Sequence, residues 1–243
     1  MTPPADIRDV IRLLDEVYGR PVWRPRLAPV DELVYTVLSQ NTADVNTDRT
    51  FASLKACFPE WSAVRDARVD DIQASIALGG LSATKAPRIK AILEAISERV
   101  QDEPASGAGR GDAGEAAGSR PGRLPEPDLS ILDRMDDDAA TRYLTSLPGV
   151  GPKTAACVLM FALGRPVMPV DTHVYRVGRR LGLVPPGVTI EAAHPLLTEK
   201  AGPENVYALH VNLVRHGRRV CRARRPACSG CPLAGICPSA FLA

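Results

Sequence analysis

The stretch Leu147-Pro148-Gly149-Val150-Gly151-Pro152-Lys153-Thr154-Ala155 lies between two segments whose apolar residues recur at helical spacing. Gly149 and Gly151 permit positive φ angles and a close approach of the backbone to a ligand. Leu147 and Val150 are apolar and would anchor the turn to a core. Free amide groups at the start of the next helix would attract an anion. The stretch therefore predicts two helices joined by a glycine-rich hairpin with an anion site.

The hairpin has two alternative interpretations, a Walker A loop and a plain turn between helices. A Walker A loop needs a glycine directly before its lysine and a strand before the loop. Pro152 precedes Lys153 here, so that interpretation fails. A plain turn between two helices stays open on the pattern alone.

Helical periodicity extends over most of the chain, and no segment alternates apolar and polar residues as a half-buried strand would. The spacing predicts an all-α protein. Its apolar marker positions are Ile7 to Val17 (with Gly19 as a stop), Leu33 to Leu38, Phe51 and Leu54, Ile89 to Val100, Tyr143 to Leu147, Ala155 to Leu163, Val174 to Leu181, and Val206 to Val214. Residues 101–127 differ, because they hold six Gly, five Ala and four Pro. Such a composition predicts a flexible insertion.

Charge is unevenly distributed along the 243 residues, although the formal net charge is only +2. Residues 148–243 carry 12 basic and 4 acidic groups, whereas residues 101–147 carry 5 and 10. A basic C-terminal third suggests a surface for a polyanion, with uneven solvation as the alternative. The first residues lack the pattern of a secretory signal, and no apolar run approaches the roughly 20 residues that span a bilayer. We therefore expect a cytoplasmic protein, associated with the nucleoid, without membrane contact.

Four of the six cysteines crowd into the C-terminal region with the spacing C-x6-C-x2-C-x5-C. They are Cys221, Cys228, Cys231 and Cys237. In a reducing compartment such a group indicates metal binding before disulfides. One compact loop with a single C-x2-C favours a [4Fe–4S] cluster, and zinc stays open as the alternative. Cys57 and Cys157 lie among apolar neighbours in helical segments, which predicts buried free thiols.

Six arginines surround the first cluster cysteine within an acid-free stretch of 11 residues. They are Arg215, Arg218, Arg219, Arg222, Arg224 and Arg225. The guanidinium fork suits phosphate recognition, so Arg218 and Arg222 are candidate contacts to a DNA backbone. The alternative is that the arginines offset the negative charge of a thiolate-bound cluster.

These motifs together resemble the endonuclease III family of helix-hairpin-helix DNA glycosylases. The matching pieces are the hairpin at 147–155, the segment Val170-Asp171-Thr172-His173-Val174 and the cysteine spacing. Further matches are Leu38-Ser39-Gln40 with Asp44, Gly80-Leu81 followed by Lys85-Ala86, and His216-Gly217. The resemblance covers residues from about 30 to 238, interrupted by the 101–127 insertion.

The resemblance implies two helical lobes. One would be a six-helix barrel over residues 23–164 that carries the helix-hairpin-helix and the 101–127 insertion. The other would combine residues 1–22 with 165–243 and hold the C-terminal iron–sulfur cluster loop.

The resemblance also implies residue roles. Lys153 would be the nucleophile, and Asp171 would activate it or stabilise the positive charge that develops at the sugar C1′. An N-cap role for Asp171 is compatible with this. His173 is expected to be a hydrogen-bonded supporting residue rather than a base. The hairpin would contact DNA through Gly149, Val150, Gly151 and Thr154.

A flipped base leaves a gap in the duplex that the protein must fill. By resemblance, the candidates are Gln40, Asn41 and Leu81. Members of the family have S-A-Q-A-T-D where this chain has Ser39-Gln40-Asn41-Thr42-Ala43-Asp44. The inserted residue is therefore open, and helix capping is the alternative for Gln40 and Asn41.

The implied activity is that of a monomeric, bifunctional glycosylase and AP lyase. It would act on double-stranded DNA, remove oxidised pyrimidines and nick abasic sites through a lysine Schiff base. One alternative is a monofunctional glycosylase for mismatched adenine or for uracil, which Lys153 disfavours. Another is a non-catalytic DNA-binding iron–sulfur module, which the joint presence of Lys153 and Asp171 disfavours.

Overall fold

The computed structural model describes residues 3–102 and 124–242. Every regular element in these two ranges is helical, which confirms the predicted all-α fold. The α-helices are α1 (Ile7–Tyr18), α2 (Pro29–Ser39), α3 (Asp44–Cys57), α4 (Trp61–Asp66), α5 (Val69–Ser75), α6 (Ser82–Asp102), α7 (Asp137–Thr145), α8 (Pro152–Cys157), α9 (Thr172–Arg180), α10 (Ile190–Ala201) and α11 (Val206–Arg219). The α8 helix continues as a π-helix over Val158–Ala162, and 3₁₀ turns lie at Ala77–Gly79, Ser130–Arg134 and Cys228–Gly230.

Helix α1 shows how local sequence sets these boundaries. The side chain of Asp6 accepts a hydrogen bond from the Arg8 amide and so caps the first turn. Gly19 ends the helix at φ 75°, a conformation that glycine adopts without a steric cost. Val10 and Leu14 are buried one turn apart, so one face of the helix packs into the core.

Three helices are not predicted by the apolar spacing. Helices α4 and α5 have six and seven residues, which is too short for a periodic signal. Helix α10 was missed although the sequence carries a signal for it. Thr189 caps the helix, and Ala193 and Leu197, which are buried, lie four positions apart.

The contacts divide the described residues into two compact units. Unit 1 consists of Met1–Glu32, Asp137–Thr141 and Gly151–Ala243, as far as these are described. Helices α1 and α9 both pack on α11, and α10 packs on α8. Their apolar faces form one core that includes Leu14, Val174 and Leu213. This unit holds the cysteine loop and both residues proposed for catalysis.

Unit 2 consists of Leu33–Asp136 and Arg142–Val150, as far as these are described. Helices α4 and α5 pack on the long helix α6, and α3 packs on α5. Arg65 is buried on α4, where its guanidinium donates to Ser97 Oγ and to the Pro125 carbonyl. The Glu126 carboxylate accepts from the Trp61 amide at 2.8 Å. Residues 125 and 126 are therefore bound to α4.

The predicted flexible insertion at 101–127 falls largely on residues 103–123, which lie outside the described residues. Its two ends are described, and both are held by regular structure or hydrogen bonds, whereas the prediction was that they are flexible. Residues 101–102 complete α6, and residues 125–126 are held by the hydrogen bonds to α4.

The two units place some residues differently from the lobes implied by the resemblance. Residues 23–32 and 151–164 were expected in the barrel, whereas their contacts group them with unit 1. Trp23 accounts for part of this, because its Nε1 donates to the Met160 carbonyl at 2.7 Å and its ring lies against Gly164. The six-helix barrel stays a prediction.

One of the two predicted buried thiols is in fact exposed. Cys157 is buried as expected, but Cys57 is accessible because it is the last residue of α3. No helix of residues 3–102 and 124–242 is both long and apolar enough to cross a membrane.

Candidate active site and cluster site

The hairpin turns at Gly149, which has φ 69°. Leu147 and Val150 are buried and anchor the turn, as expected. Gly151 does not use the positive φ that glycine permits; at φ −97° it is the extended N-cap of α8. Arg88 lies against Gly149, so a Cβ atom at that glycine would come within 2.8 Å of its Nε.

Lys153 is half-buried in the first turn of α8, directly after the hairpin. It forms no ion pair with any residue of the described ranges, so its amine is not held by a carboxylate. Burial raises the pKa of the Cys157 thiol one turn further on, and the charge of the nearby Lys153 opposes this shift. The neighbouring Thr154 is buried, which leaves its side chain turned away from solvent.

Asp171 is the N-cap of α9, and its two carboxylate oxygens are in different situations. Oδ1 accepts from the amides of His173, at 2.9 Å, and Val174, at 2.7 Å. Oδ2 accepts no hydrogen bond from any residue that the structure describes. One oxygen thus fixes the side chain on the helix end, and the other is available to a reacting group.

His210 links the surroundings of Lys153 and Asp171. Its Nδ1 lies 2.9 Å from the Pro169 carbonyl, and since a carbonyl only accepts, Nδ1 carries the hydrogen. Burial lowers the pKa of His210 to about 4; Asp171 opposes this shift, while Lys153 and Arg26 add to it. The proposed nucleophile and carboxylate therefore both lie close enough to act electrostatically on one buried, neutral imidazole.

The three candidates for filling the gap in the duplex belong to two loops of unit 2. Asn41 and Leu81 are exposed, and each has φ 54°, the left-handed conformation that side chains rarely adopt. Lys85 holds the two loops together, because its buried ammonium donates to Thr42 Oγ1 and to the Leu38 and Gly79 carbonyls. Burial lowers the pKa of this lysine.

Gln40 is oriented by a different cation. Arg88 on α6 donates to Gln40 Oε1 at 2.9 Å and also lies against Gly149 of the hairpin. Gln40 is therefore a fixed side chain rather than a free one. Asn41 and Leu81 are the exposed tips of the two loops.

The four C-terminal cysteines line one cavity, together with apolar residues such as Val177, Leu181 and Leu233. Burial raises the pKa of Cys231 and Cys237, so their thiolates need a stabilising metal group. Four thiolates around one zinc ion, each at about 2.3 Å, would lie about 3.8 Å apart. In the described part of the chain no three metal-binding side chains are arranged for a single ion. Four thiols around one cavity are the donor set that a cubane cluster requires.

Two arginines of α9 hold the start of the cysteine loop. Arg176 donates to the Gly217 and Cys221 carbonyls, each at 2.9 Å. Arg180 donates to the Arg222 carbonyl at 2.7 Å and reaches Cys221 Sγ at 3.3 Å. Positive charge is thereby placed beside the first cysteine.

His173 lies on the same face of α9 as these arginines. Its Nδ1 lies 3.0 Å from the Arg176 guanidinium, which only donates, so Nδ1 accepts. Its Cβ lies so close to Gly217 that a side chain there would clash at 2.8 Å. His173 thus joins the start of α9 to the end of α11, and its supporting role in catalysis stays a prediction.

All six arginines of the basic stretch are exposed. Arg218 belongs to the last turn of α11 and Arg222 to the loop that follows. A phosphate contact by either side chain is therefore sterically open.

Several residues of these sites were missed by the sequence analysis. They are Lys85, Arg88, Arg176, Arg180 and His210. The spacing of 173, 176 and 180 on one helix face was a usable signal. Lys85 was quoted as part of a matching motif, but without a role. The buried His210 offered no signal, because its partner, the Pro169 carbonyl, is distant in sequence.

Comparison with known proteins identifies related families. Residues 34–201 match the model of the HhH-GPD superfamily of base excision DNA repair proteins. Residues 221–237 match the iron–sulfur binding domain of endonuclease III, which confirms the predicted iron–sulfur cofactor. The second match begins at Cys221 and ends at Cys237.

Individual relatives agree with these matches. A putative DNA glycosylase of Arabidopsis thaliana is 35% identical over 85% of this chain, which spans 66% of that protein's length. Endonuclease III of Thermotoga maritima is 31% identical, and the match covers 86% of this chain and 82% of that protein. A solved endonuclease III–DNA complex has a TM-score of 0.74 at 22% identity, with 96% and 94% of the two chains covered. This last likeness supports the fold alone.

Proposed function

The chain belongs to the HhH-GPD superfamily of base excision DNA repair proteins and is an endonuclease III-like DNA glycosylase, and from this premise we propose that it is bifunctional, with Lys153 as nucleophile of both steps. The observation that carries the proposal is the state of Lys153. Its amine lies directly after the hairpin, forms no ion pair within the described ranges, and shares with Asp171 the surroundings of His210.

The first step replaces the damaged base by the enzyme. The unprotonated Lys153 Nζ attacks C1′, the bond from C1′ to the base breaks, and the base leaves with the bonding electrons and takes up a proton. The free Oδ2 of Asp171 stabilises the positive charge that develops at C1′. Oδ1 keeps the carboxylate in position through the two amides at the start of α9.

The second step cuts the strand. The proton that Nζ loses is taken up by O4′, which keeps the bonding electrons as the C1′–O4′ bond breaks; this leaves a protonated Schiff base between Lys153 and the opened sugar. This imine acidifies the hydrogens on C2′; removal of one of them expels the 3′ phosphate as the C3′–O bond breaks. Water then releases Lys153 from the product.

The partner we propose is double-stranded DNA that contains an oxidised pyrimidine or an abasic site. The hairpin, Arg218 and Arg222 would contact its phosphates, and Asn41 and Leu81 would enter the space left by the flipped nucleotide. Both loop tips are exposed and conformationally fixed, which suits insertion into a stacked duplex. A monomer suffices for this arrangement.

Cys221, Cys228, Cys231 and Cys237 are proposed as the ligands of the cluster. A [4Fe–4S] group bound there supplies structural cross-linking of the loop and a redox couple. The loop in turn presents the arginines that follow Cys221.

Borohydride trapping tests the proposal. The reductant converts a Schiff base into a stable amine, so the protein should become covalently attached to a duplex that contains an abasic site. Lys153→Ala should abolish the attachment, whereas Lys200→Ala, at an exposed lysine of the same unit, should retain it. Attachment that survives Lys153→Ala would refute the assigned nucleophile. Base removal without any attachment would show a monofunctional enzyme instead.

A further inference from the structure

We propose that Tyr18 and His216 form a hydrogen-bonded pair that donates to the Cys231 thiolate and raises the reduction potential of the iron–sulfur cluster. The inference rests on the proposed role of Cys231 as a ligand. It does not depend on the lyase mechanism, because the pair lies at the cysteine loop and its readout is a potential.

The pair is fixed by three elements of unit 1. His216, near the end of α11, is only 1% exposed. Its Nδ1 lies 3.1 Å from the hydroxyl of Tyr18, the last residue of α1. The rings of Tyr18 and His216 meet edge to face at a centroid distance of 6.1 Å. On its other side, His216 Nε2 lies 3.6 Å from Cys231 Sγ. The imidazole therefore bridges the first helix and the cysteine loop.

The chemistry of the partners fixes the hydrogen positions. A thiolate that binds iron has only lone pairs to offer, so Nε2 must carry the hydrogen that points to Cys231. In a neutral imidazole Nδ1 is then the acceptor. The Tyr18 hydroxyl has a hydrogen to give and supplies it. Tyr18 thus selects the ring orientation and the tautomer that make His216 a donor to sulfur.

A donor to a ligand sulfur stabilises the more negative state of a cluster. Reduction adds an electron, whose charge is spread over iron and sulfur, and an N–H···S bond grows stronger with that charge. Burial makes this donor hard to replace, because water does not reach a side chain that is 1% exposed. Arg180 also donates to sulfur, but it does so at Cys221 and from a half-exposed position.

A redox titration of the purified holoprotein tests the pair. The variants are His216→Leu, which removes both bonds; His216→Gln, which retains an N–H donor; and Tyr18→Phe, which removes only the hydroxyl. Tyr175→Phe is the matched control, since Tyr175 donates to the Val188 carbonyl and does not line the cavity of the four cysteines. Iron content per chain is measured for each protein, so that only fully loaded samples are compared.

The midpoint potential should shift to a more negative value in His216→Leu and by a smaller amount in Tyr18→Phe. Partial recovery in His216→Gln and no shift in Tyr175→Phe would assign the effect to the donor. Equal potentials in fully loaded wild-type, His216→Leu and Tyr18→Phe proteins would overturn the proposal.

A second measurement needs no substitution at a buried site. Pulsed EPR of protein labelled with ¹⁵N in histidine should show one histidine nitrogen coupled to the cluster in its paramagnetic state. The absence of such a coupling in wild-type protein would also overturn the proposal. A failure of borohydride trapping would leave both readouts unchanged, so the two proposals fail independently.

Discussion

The ammonium group of Lys85 lies 2.7 Å from Thr42 Oγ1, and this hydrogen bond joins the loop that carries Asn41 to the turn that carries Leu81. The same ammonium donates to the carbonyls of Leu38 and Gly79, so it binds a main-chain atom on each side of the contact between the loop and the turn. Two exposed tips at φ 54° are thereby held in one arrangement by the buried cation and by the hydrogen bond from Thr42 Oγ1 to the Gly79 carbonyl at 2.6 Å. Unit 2 thus presents a preformed pair of loop tips.

Lys85→Met should loosen this pair. The thioether fills similar space but removes the donor to the Leu38 carbonyl, which costs about 1–3 kcal/mol of the free energy of unfolding, whereas the Gly79 carbonyl keeps the Thr42 hydroxyl as its donor. Denaturant unfolding measures that loss, and base removal from lesion duplexes should slow. Lys200→Met, at an exposed lysine, is the control. An unchanged stability would show that water replaces the ammonium.

Gly149→Ala should strain the hairpin. At φ 69° a side chain costs about 1–2 kcal/mol, and the new Cβ would also displace Arg88. Gly151→Ala is the matched control, since φ there is −97° and no atom lies within 4 Å of its Cβ position. Unfolding free energies should fall more for Gly149→Ala; equal losses in both variants would contradict the geometry.

Asp171→Asn separates capping from catalysis. Asparagine caps helices about as well as aspartate, so the free energy of unfolding should change little. The charge on Oδ2 is lost, and base removal should slow by about 100-fold or more. Asp6→Asn, the same change at the N-cap of α1, should leave the rate unaltered. A full rate in Asp171→Asn would reduce Asp171 to a structural role.

Substitution of Arg218 and Arg222 by Gln should lower the salt dependence of DNA binding. Each phosphate contact makes the negative slope of log K against log salt steeper by about 0.9. The slope of the double variant should therefore be shallower by about 2. Arg8 and Arg12, exposed on α1, provide a control pair. Equal slopes in the two double variants would show that the basic stretch does not bind phosphate.

His210 makes stability depend on pH. Its pKa is about 4 in the folded protein and near the ordinary histidine value of 6.5 in an unfolded chain, so the unfolded state binds the proton first. Its contribution is fully present above about pH 6.5 and is lost as the pH falls towards 4. His210→Gln should flatten the pH dependence of the unfolding free energy over this window. An unchanged curve would mean that another group controls it.

Much of the molecule could be predicted from the sequence where the signal is local. The hairpin, the boundaries of α1 and the cysteine loop follow from residues within a few positions of one another. The N-cap role of Asp171 is local as well. The sequence could not decide which of the two hairpin glycines adopts a positive φ, since glycine permits that conformation without requiring it.

The remaining features depend on residues that are distant in sequence. The buried position of Lys85 follows only from the folded chain, in which two loops bring three oxygen atoms to its ammonium. Cys57 looked buried by its neighbours, but its place at the end of α3 exposes it.

The sequence by itself determined an all-α protein with a glycine hairpin and a four-cysteine loop, because each of these features follows from a short motif; the joint catalytic role of Lys153 and Asp171 stays a prediction from the resemblance. Only the tertiary structure decided the tautomer of His210, the free oxygen of Asp171 and the bridge from Tyr18 through His216 to Cys231. The physical reason is that the partners and burial that fix a proton position come from segments up to about two hundred residues apart, which only the folded chain brings together.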